Sequence, residues 1–177
     1  MRGEARARVS DRPPLWAIAG TLLAGPLFIG TVLVLVPFLL TGWRFAPPLF
    51  GWEPCRWIGA LLIVGAVPVV LDFLVRFVRE GHGTPVPLAP PRRLVTGGSF
   101  RFVRNPAYLS ALVALIGQAL LFGSVPVLVY TLAIAALSHL FIIAVEEPAL
   151  RKGFGPEYER YCRNVPRWLP RWGGRNR

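Results

Sequence analysis

The sequence has little of the residue types from which metal centres and hydrolytic sites are usually built. It contains two cysteines and two histidines, and no CxxC or HxxxH spacing occurs. Cys55 and Cys162 lie far apart in the chain, so we expect neither a disulfide nor a metal site. With so few histidines, no catalytic triad of the Ser-His-Asp type is expected either.

Charged residues are also scarce, and lysine occurs only once. Only 16% of the residues are charged while 54% are hydrophobic, which indicates an integral membrane protein. The net charge of +11 could indicate a nucleic-acid partner, but the arginines lie beside apolar runs and form no long basic tract. We therefore expect the partner to be a bilayer and not a nucleic acid. The bias towards arginine suggests a GC-rich genome, and hence a bacterial inner membrane.

Four apolar runs occur, at residues 15–40, 56–77, 107–122 and 126–145. A membrane-spanning helix needs about 20 apolar residues, and shorter ones are tolerated with some mismatch. The first run is too long for a signal-peptide core, so we predict a retained helix. Gly123 begins a tight turn between the last two runs, and Ser124 is placed to cap the helix that follows. The pattern predicts an all-α, multi-pass membrane bundle with about four transmembrane helices.

The basic residues predict the orientation of these spans. All of them except Arg44 and Arg56 lie before the first run, around the loop between the second and third runs, or after the fourth. The positive-inside rule then places both termini and the long loop in the cytoplasm. After the fourth run, residues 148–152 and 157–162 read as short helices at the membrane interface, the second carrying Tyr158 and Tyr161 on one face.

A polar signature is split between two ends of the apolar runs. Its first half is RNPAY at residues 104–108, where the third run begins, and its second half is Glu146-Glu147, where the fourth run ends. Ionisable residues at that depth are costly and indicate a functional site by default. Because the two runs are joined by a short turn, a helical hairpin would bring both halves together at one side of the membrane.

The loop before this signature is rich in glycine and proline over residues 81–91. It is long for a compact protein, which favours a functional role. Gly97 and Gly98 would allow the backbone to approach a ligand closely. The GxG at residues 81–83 lacks a third glycine and no strand precedes it, so a Rossmann nucleotide site is not expected.

An arginine beside two carboxylates suits a zwitterionic ligand. The guanidinium can bind a carboxylate in two-point fashion, a glutamate can accept from an ammonium, and the ring of Tyr108 can face a cation. S-adenosylmethionine carries a carboxylate, an ammonium and a sulfonium. Transfer of its methyl group depends mainly on proximity and orientation, which suits a chain with few general bases. The residues permit this ligand without requiring it.

Three segments in order resemble a known group of membrane enzymes. Residues 94–108, Glu146-Glu147 and the tail pattern FGxxYxxYxxxVxRxxP at residues 154–170 resemble the isoprenylcysteine carboxyl methyltransferase and phospholipid methyltransferase family. The resemblance implies S-adenosylmethionine bound at the cytoplasmic face and a lipophilic acceptor that enters from the bilayer. It implies catalytic roles for Arg104 and Glu147. The cofactor-binding residues that it implies are Leu94, Val95, Gly97, Arg104, Asn105, Tyr108, Glu146 and Glu147.

We expect the chain to form one membrane domain over residues 1–177, with two parts. Residues 1–80 would form two N-terminal spans, and residues 81–177 the cofactor loop, the hairpin and the tail. The chain departs from the family at Asn105, where histidine is common, and at Ser99-Phe100, where Pro-Tyr is frequent. A step that depends on a histidine is therefore not assumed.

Two other functions fit the sequence less well. An NADPH-dependent membrane reductase of the sterol-reductase kind would show Asn-Pro-Asn-Tyr, but Ala107 replaces the second asparagine. A non-catalytic membrane scaffold would leave the paired glutamates unexplained, unless they form a salt bridge to Arg151 or Lys152. Among the remaining polar residues, we expect an ion pair between Asp72 and Arg76. Gln118 and His139 are expected to form hydrogen bonds between helices.

Overall fold

The computed structural model describes residues 27–79 and 94–170, and the side chains of all of these except 74–79. These segments are helical and contain no strand, so the all-α prediction is confirmed for them. The glycine- and proline-rich loop and the first part of the first apolar run lie outside the described residues. The helices are α1 (Leu27–Thr41), α2 (Pro54–Arg79), α3 (Pro106–Phe122), α4 (Val125–Phe154) and α5 (Pro156–Asn164), with 3-10 turns at Leu49–Gly51 and Gly98–Arg101.

Two of the described helices, α2 and α4, are long and apolar enough to cross a membrane. Helices α1 and α3 are apolar but shorter. The outward faces of the long helices carry large exposed apolar side chains, among them Trp57 and Leu61 on α2 and Leu132 and Leu137 on α4. Exposed apolar faces of this extent are typical of a surface that meets lipid or a partner protein. The count of four spans stays a prediction.

Helices α2 and α3 pack in close contact at a point where two glycines face each other. A Cβ added to Gly59 would lie 2.5 Å from the carbonyl oxygen of Gly117, and one added to Gly117 would lie 2.7 Å from the carbonyl oxygen of Gly59. Only residues without a side chain let two helix backbones approach this closely. This crossing brings the C-terminal part of α2 alongside the start of α3.

The turn between α3 and α4 forms as the sequence predicts. Gly123 ends α3 in the left-handed conformation, with a φ of 66°. The hydroxyl of Ser124 accepts a hydrogen bond from the backbone N–H of Val127 at 3.3 Å, so the predicted cap is confirmed. Pro126 occupies the first turn of α4, where its missing N–H costs nothing.

Arg56 ties this turn to the loop that precedes α2. Its guanidinium donates to the carbonyl oxygens of Leu121 at 3.1 Å and Ala46 at 2.7 Å. It also pairs with Glu53 at 3.1 Å and lies over the ring of Phe45. Of Arg44 and Arg56, the cations that the described residues place at this end of the bundle, Arg56 therefore stabilises the fold.

Helix α1 is held against the hairpin by two side-chain donors. Gln118 on α3 donates to the carbonyl oxygen of Leu33 at 2.9 Å, and Tyr130 on α4 donates to that of Val32 at 3.2 Å. Both acceptors lie in a π-helical turn at Thr31–Leu35. The predicted interhelical hydrogen bond of Gln118 is thus confirmed.

Helix α4 continues further than the sequence predicts. We expected the fourth span to end at residue 145 and a separate short helix at 148–152, but α4 runs without a break to Phe154, so this prediction was wrong. A π-helical turn at Ile142–Glu146 lets the N–H of Glu147 bond to the carbonyl oxygen of Ile142. Pro148 follows directly, and the widened turn accommodates its missing N–H. The helix ends only before Gly155, whose φ is 48°.

Candidate functional site

The two halves of the polar signature meet at the end of the hairpin opposite the turn. Arg104 lies just before α3, and Glu147 lies on α4 directly after the π-helical turn. Nη1 of Arg104 is 3.1 Å from Oε1 of Glu147, and the Glu147 side chain is only 5% exposed. The structure therefore brings these two residues together as an almost fully buried ion pair.

Glu147 is surrounded by three arginines. Arg167, in the tail after α5, donates from Nε to Oε1 at 2.6 Å and from Nη2 to Oε2 at 3.0 Å. Arg151, one turn along α4, lies 3.6 Å from Oε2. The two-point contact with Arg167 is the strongest form of such a pair. It raises the pKa of Arg167 above its ordinary range, so this guanidinium stays charged.

The sequence had suggested a salt bridge between Glu147 and Arg151, and that pair is present. It did not single out Arg167, which supplies the shortest contact to Glu147. The signal was available, because Arg167 is the arginine of the tail pattern VxR. A carboxylate buried at a helix end also requires a cationic partner from outside its own helix.

Arg104 is held on several sides and keeps one donor unused. Besides Glu147, its Nη1 contacts Sγ of Cys162 at 3.0 Å, and its backbone N–H donates to the carbonyl oxygen of Pro166 at 2.9 Å. Its Nε is buried and has no hydrogen-bond partner in the described part of the chain. A buried guanidinium N–H without a protein partner is rare, so this donor is available to a water molecule or to a ligand.

Glu146 has a different environment from its neighbour. The hydroxyl of Tyr108, in the first turn of α3, donates to Oε2 of Glu146 at 3.0 Å. Within residues 27–73 and 94–170, no arginine lies within salt-bridge distance of Glu146. The two adjacent carboxylates are therefore distinct, since Glu147 is saturated by cations and Glu146 can still accept.

Residues 165–170, which we call the strap, cross the open end of the hairpin. Besides the contact of Pro166 with Arg104, the side-chain amide of Asn105 donates to the carbonyl oxygen of Arg167 at 3.2 Å. Nε1 of Trp168 donates to Nδ1 of His139 on α4 at 3.0 Å. The predicted hydrogen bond of His139 exists, but its partner belongs to the strap and not to another helix. Asn105, at 7% exposure, acts as an anchor for the strap.

The segment before α3 packs beside this cluster. Val95 is buried, Leu94 and Gly97 are half-buried, and the 3-10 turn Gly98–Arg101 follows. The hydroxyl of Tyr161 on α5 donates to the carbonyl oxygen of Phe100 at 2.8 Å, and burial raises the pKa of Tyr161, which keeps it a neutral donor.

Helix α2 fixes the same turn from the other side. Oδ2 of Asp72 accepts from the backbone N–H of Ser99 at 2.7 Å. The predicted partner of Asp72, the side chain of Arg76, lies outside the described residues. The candidate cofactor segment is thus held by both α2 and α5.

Comparison with known proteins gives one match. The family model described as phospholipid methyltransferase matches residues 54–157, which is well over half of the chain. The matched region contains α2, the complete hairpin, Arg104 and both glutamates. No curated protein and no solved structure matches the chain.

Proposed function

The chain belongs to the phospholipid methyltransferase family, and from this premise we propose that it transfers the methyl group of S-adenosylmethionine to a lipophilic acceptor. The observation that carries the proposal is the meeting of Arg104, Glu146, Glu147 and Tyr108 at one end of the hairpin. Family membership implies a methyltransferase. The cofactor, the acceptor and the membrane face belong to our proposal.

The donor set suits S-adenosylmethionine. The Nε–H of Arg104, which has no partner among the described residues, can donate to the carboxylate of the cofactor. The carboxylate of Glu146, which no arginine of the described residues neutralises, can accept from the ammonium or lie near the sulfonium. Tyr108 adds an aromatic face for a cation. Backbone groups of Leu94, Val95 and Gly97 would complete the site.

The chain's own residues then contribute binding, orientation and exclusion of water. When bound, S-adenosylmethionine supplies a methyl group on a positively charged sulfur. Glu147 holds the guanidinium of Arg104 in a fixed position. The Nε–H of Arg104 is thereby fixed as well. The strap covers the cluster and keeps water out. Holding two reactants in line accounts for much of the acceleration of a displacement reaction.

No residue in this arrangement is required to act as a strong base. Asn105 cannot carry a proton, and its amide is used to anchor the strap. This agrees with an acceptor that reacts as an anion or as a free amine. We therefore assign Arg104 and Glu147 to the centre of the reaction site as a binding pair, with Glu147 acting through Arg104.

We further propose a single membrane domain with four spans and both termini in the cytoplasm. The end of the bundle that carries the cluster also carries most of the exposed cations of the described residues, among them Arg101, Lys152 and Arg160. The opposite end carries Arg44 and Arg56. This asymmetry supports a cytoplasmic site at a bacterial inner membrane. A lipid acceptor would enter beside the exposed apolar faces of the helices.

A transfer assay tests the proposal. Purified protein in lipid nanodiscs is incubated with S-adenosylmethionine labelled in the methyl group, and the label is counted in the extracted lipid. We expect label in the lipid fraction with wild type, at least tenfold less with Arg104→Ala, and no change with Lys152→Ala, which removes an exposed cation. Folded wild-type protein that transfers no label across a panel of lipid extracts, but oxidises NADPH, would replace the proposal with a reductase.

A further inference from the structure

Two buried polar side-chain atoms in the segment that leads into α3 lack a hydrogen-bond partner in the described part of the chain. They are Nε of Arg104 and Oγ of Ser99. The two residues belong to one stretch of turn, because the carbonyl oxygen of Ser99 accepts from the N–H groups of Phe102 and Val103, and Arg104 comes next. Native proteins rarely leave such groups unpaired, so two in one turn call for a common explanation.

Ser99 is held in place without the use of its hydroxyl. Its backbone N–H donates to Asp72 at 2.7 Å, and Tyr161 fixes the next residue through the carbonyl oxygen of Phe100. The rings of Phe73 and Phe100 also contact each other in a tilted arrangement, with centroids 6.1 Å apart. The hydroxyl is therefore presented by a turn that is anchored on two helices, and it contributes nothing to that anchoring.

The chemistry of the two atoms selects the ligand group. A guanidinium N–H can only donate, and a serine hydroxyl can donate as well. Two donors, one of them charged, match an anionic oxygen pair. The ammonium of a zwitterion would instead be matched by Glu146, the carboxylate that no arginine of the described residues neutralises.

We propose that the Ser99 hydroxyl, together with Nε of Arg104, binds the carboxylate of S-adenosylmethionine, with Asp72 positioning Ser99. The assignment rests on the proposed function, since it names a further contact in the same site. Serine stands here where the resembling family often has proline, so the contact belongs to this chain's own sequence.

The test compares two ligands and two matched serines. S-adenosylhomocysteine carries the carboxylate, whereas 5′-methylthioadenosine lacks the whole amino-acid portion. Ser99→Ala removes the unpaired hydroxyl, and Ser124→Ala removes a hydroxyl that caps α4 at the other end of the bundle. Each variant is titrated with both ligands by calorimetry, and the thermal unfolding of each is measured without ligand.

We expect Ser99→Ala to weaken binding of S-adenosylhomocysteine about tenfold, the effect of losing a hydrogen bond to a charged group. Binding of 5′-methylthioadenosine should not change, and the ligand-free Tm should stay the same or rise, because an unpaired buried hydroxyl has been removed. Ser124→Ala should show the reverse pattern, with a lower Tm and unchanged affinities.

Unchanged affinity for S-adenosylhomocysteine in Ser99→Ala would overturn the assignment, and so would equal weakening of both ligands. A lowered Tm without any loss of affinity would show that the hydroxyl is structural. Failure of folded wild-type protein to bind S-adenosylhomocysteine at all would instead overturn the proposed function, and the Ser99 assignment with it.

Discussion

At the scale of single residues, the two adjacent glutamates have separate tasks. Glu147 is 5% exposed and contacts Arg104, Arg151 and Arg167, whereas Glu146 accepts from Tyr108. Burying a carboxylate is unfavourable unless cations and hydrogen bonds compensate for its lost hydration, and here three guanidinium groups do so. The sequence predicted a site at this pair, but adjacency alone could not divide the roles.

Replacement of each glutamate should reveal this division. Glu147→Gln leaves three arginines around a neutral side chain and should lower the free energy of unfolding by about 3 kcal/mol, as for other broken buried ion pairs. Glu146→Gln should cost less than about 1 kcal/mol and act mainly on ligand affinity. Denaturation of both variants in mixed micelles, with Glu157→Gln as an exposed control, measures this. Equal destabilisation by the two changes would contradict the division.

Arg167 matters through its geometry as well as its charge. Arg167→Lys keeps the positive charge but cannot reproduce the two-point contact with Glu147. The strap should then open more often, and hydrogen exchange at the amide of Arg104, which bonds to Pro166, should accelerate about tenfold. Arg163→Lys, at an exposed position of α5, serves as the matched control. If the amide of Arg104 exchanged at the same rate in Arg167→Lys and in Arg163→Lys, Arg167 would not be holding the strap.

At the scale of helices, the hairpin depends on the close contact of α2 with α3. Gly59 faces backbone atoms of Gly117 and Leu121 at distances that no real Cβ tolerates, whereas a Cβ at Gly65, on the same helix, would meet nothing within 4 Å. Hydrophobic patterning predicted both helices, but it carries no information on which glycines face a neighbouring backbone.

This difference makes a paired test possible. Gly59→Ala should destabilise the protein by about 2 kcal/mol because the helices must move apart. Gly65→Ala should be neutral or stabilising by up to about 1 kcal/mol, since alanine favours the helix more than glycine does. Thermal unfolding in detergent compares the two. If Gly59→Ala proved as stable as Gly65→Ala, the contact between α2 and α3 would be different from the one described.

The course of α4 shows where reasoning from the sequence alone fails. The apolar run ends at residue 145, and the sequence predicted a separate short helix at residues 148–152 that Gly153 would end. The π-helical turn at Ile142–Glu146 instead accommodates the proline, and the helix continues on its polar residues to Phe154. The ion pair between Glu147 and Arg151, one turn apart, lies within this extension, and the apolar pattern alone could not reveal it.

At the scale of the whole molecule, the charges divide the bundle into two ends. The end that bears the candidate site is rich in arginine, and the turn end carries Arg44 and Arg56. Cys55 and Cys162 are first replaced by serine. In this background, Glu53→Cys places a thiol at the turn end of the bundle, and, in a second variant, Lys152→Cys places one at the end of the candidate site. An impermeant maleimide applied to intact cells should label the first and not the second. The opposite labelling would contradict the proposed orientation.

The sequence predicted the helical class, the hairpin turn and the residues that meet at its open end. Those features follow from local signals, namely apolar runs, Ser124 as a cap and two polar segments at matching run ends. The contribution of Arg167, the unused donors of Ser99 and Arg104 and the anchoring role of Asn105 depend on how the tail folds back over α3 and α4. Contacts of that kind join residues distant in sequence. The tail pattern VxR contained Arg167, but no local pattern specified which carboxylate it would contact.

The central claim is that the cluster around Arg104 and the two glutamates binds S-adenosylmethionine. Calorimetric titration of folded, purified protein with S-adenosylhomocysteine, and separately with NADPH, tests it most directly. We predict saturable binding of S-adenosylhomocysteine that is lost in Arg104→Ala, and no binding of NADPH. Absence of S-adenosylhomocysteine binding by wild-type protein, or equal binding by Arg104→Ala, would contradict the claim.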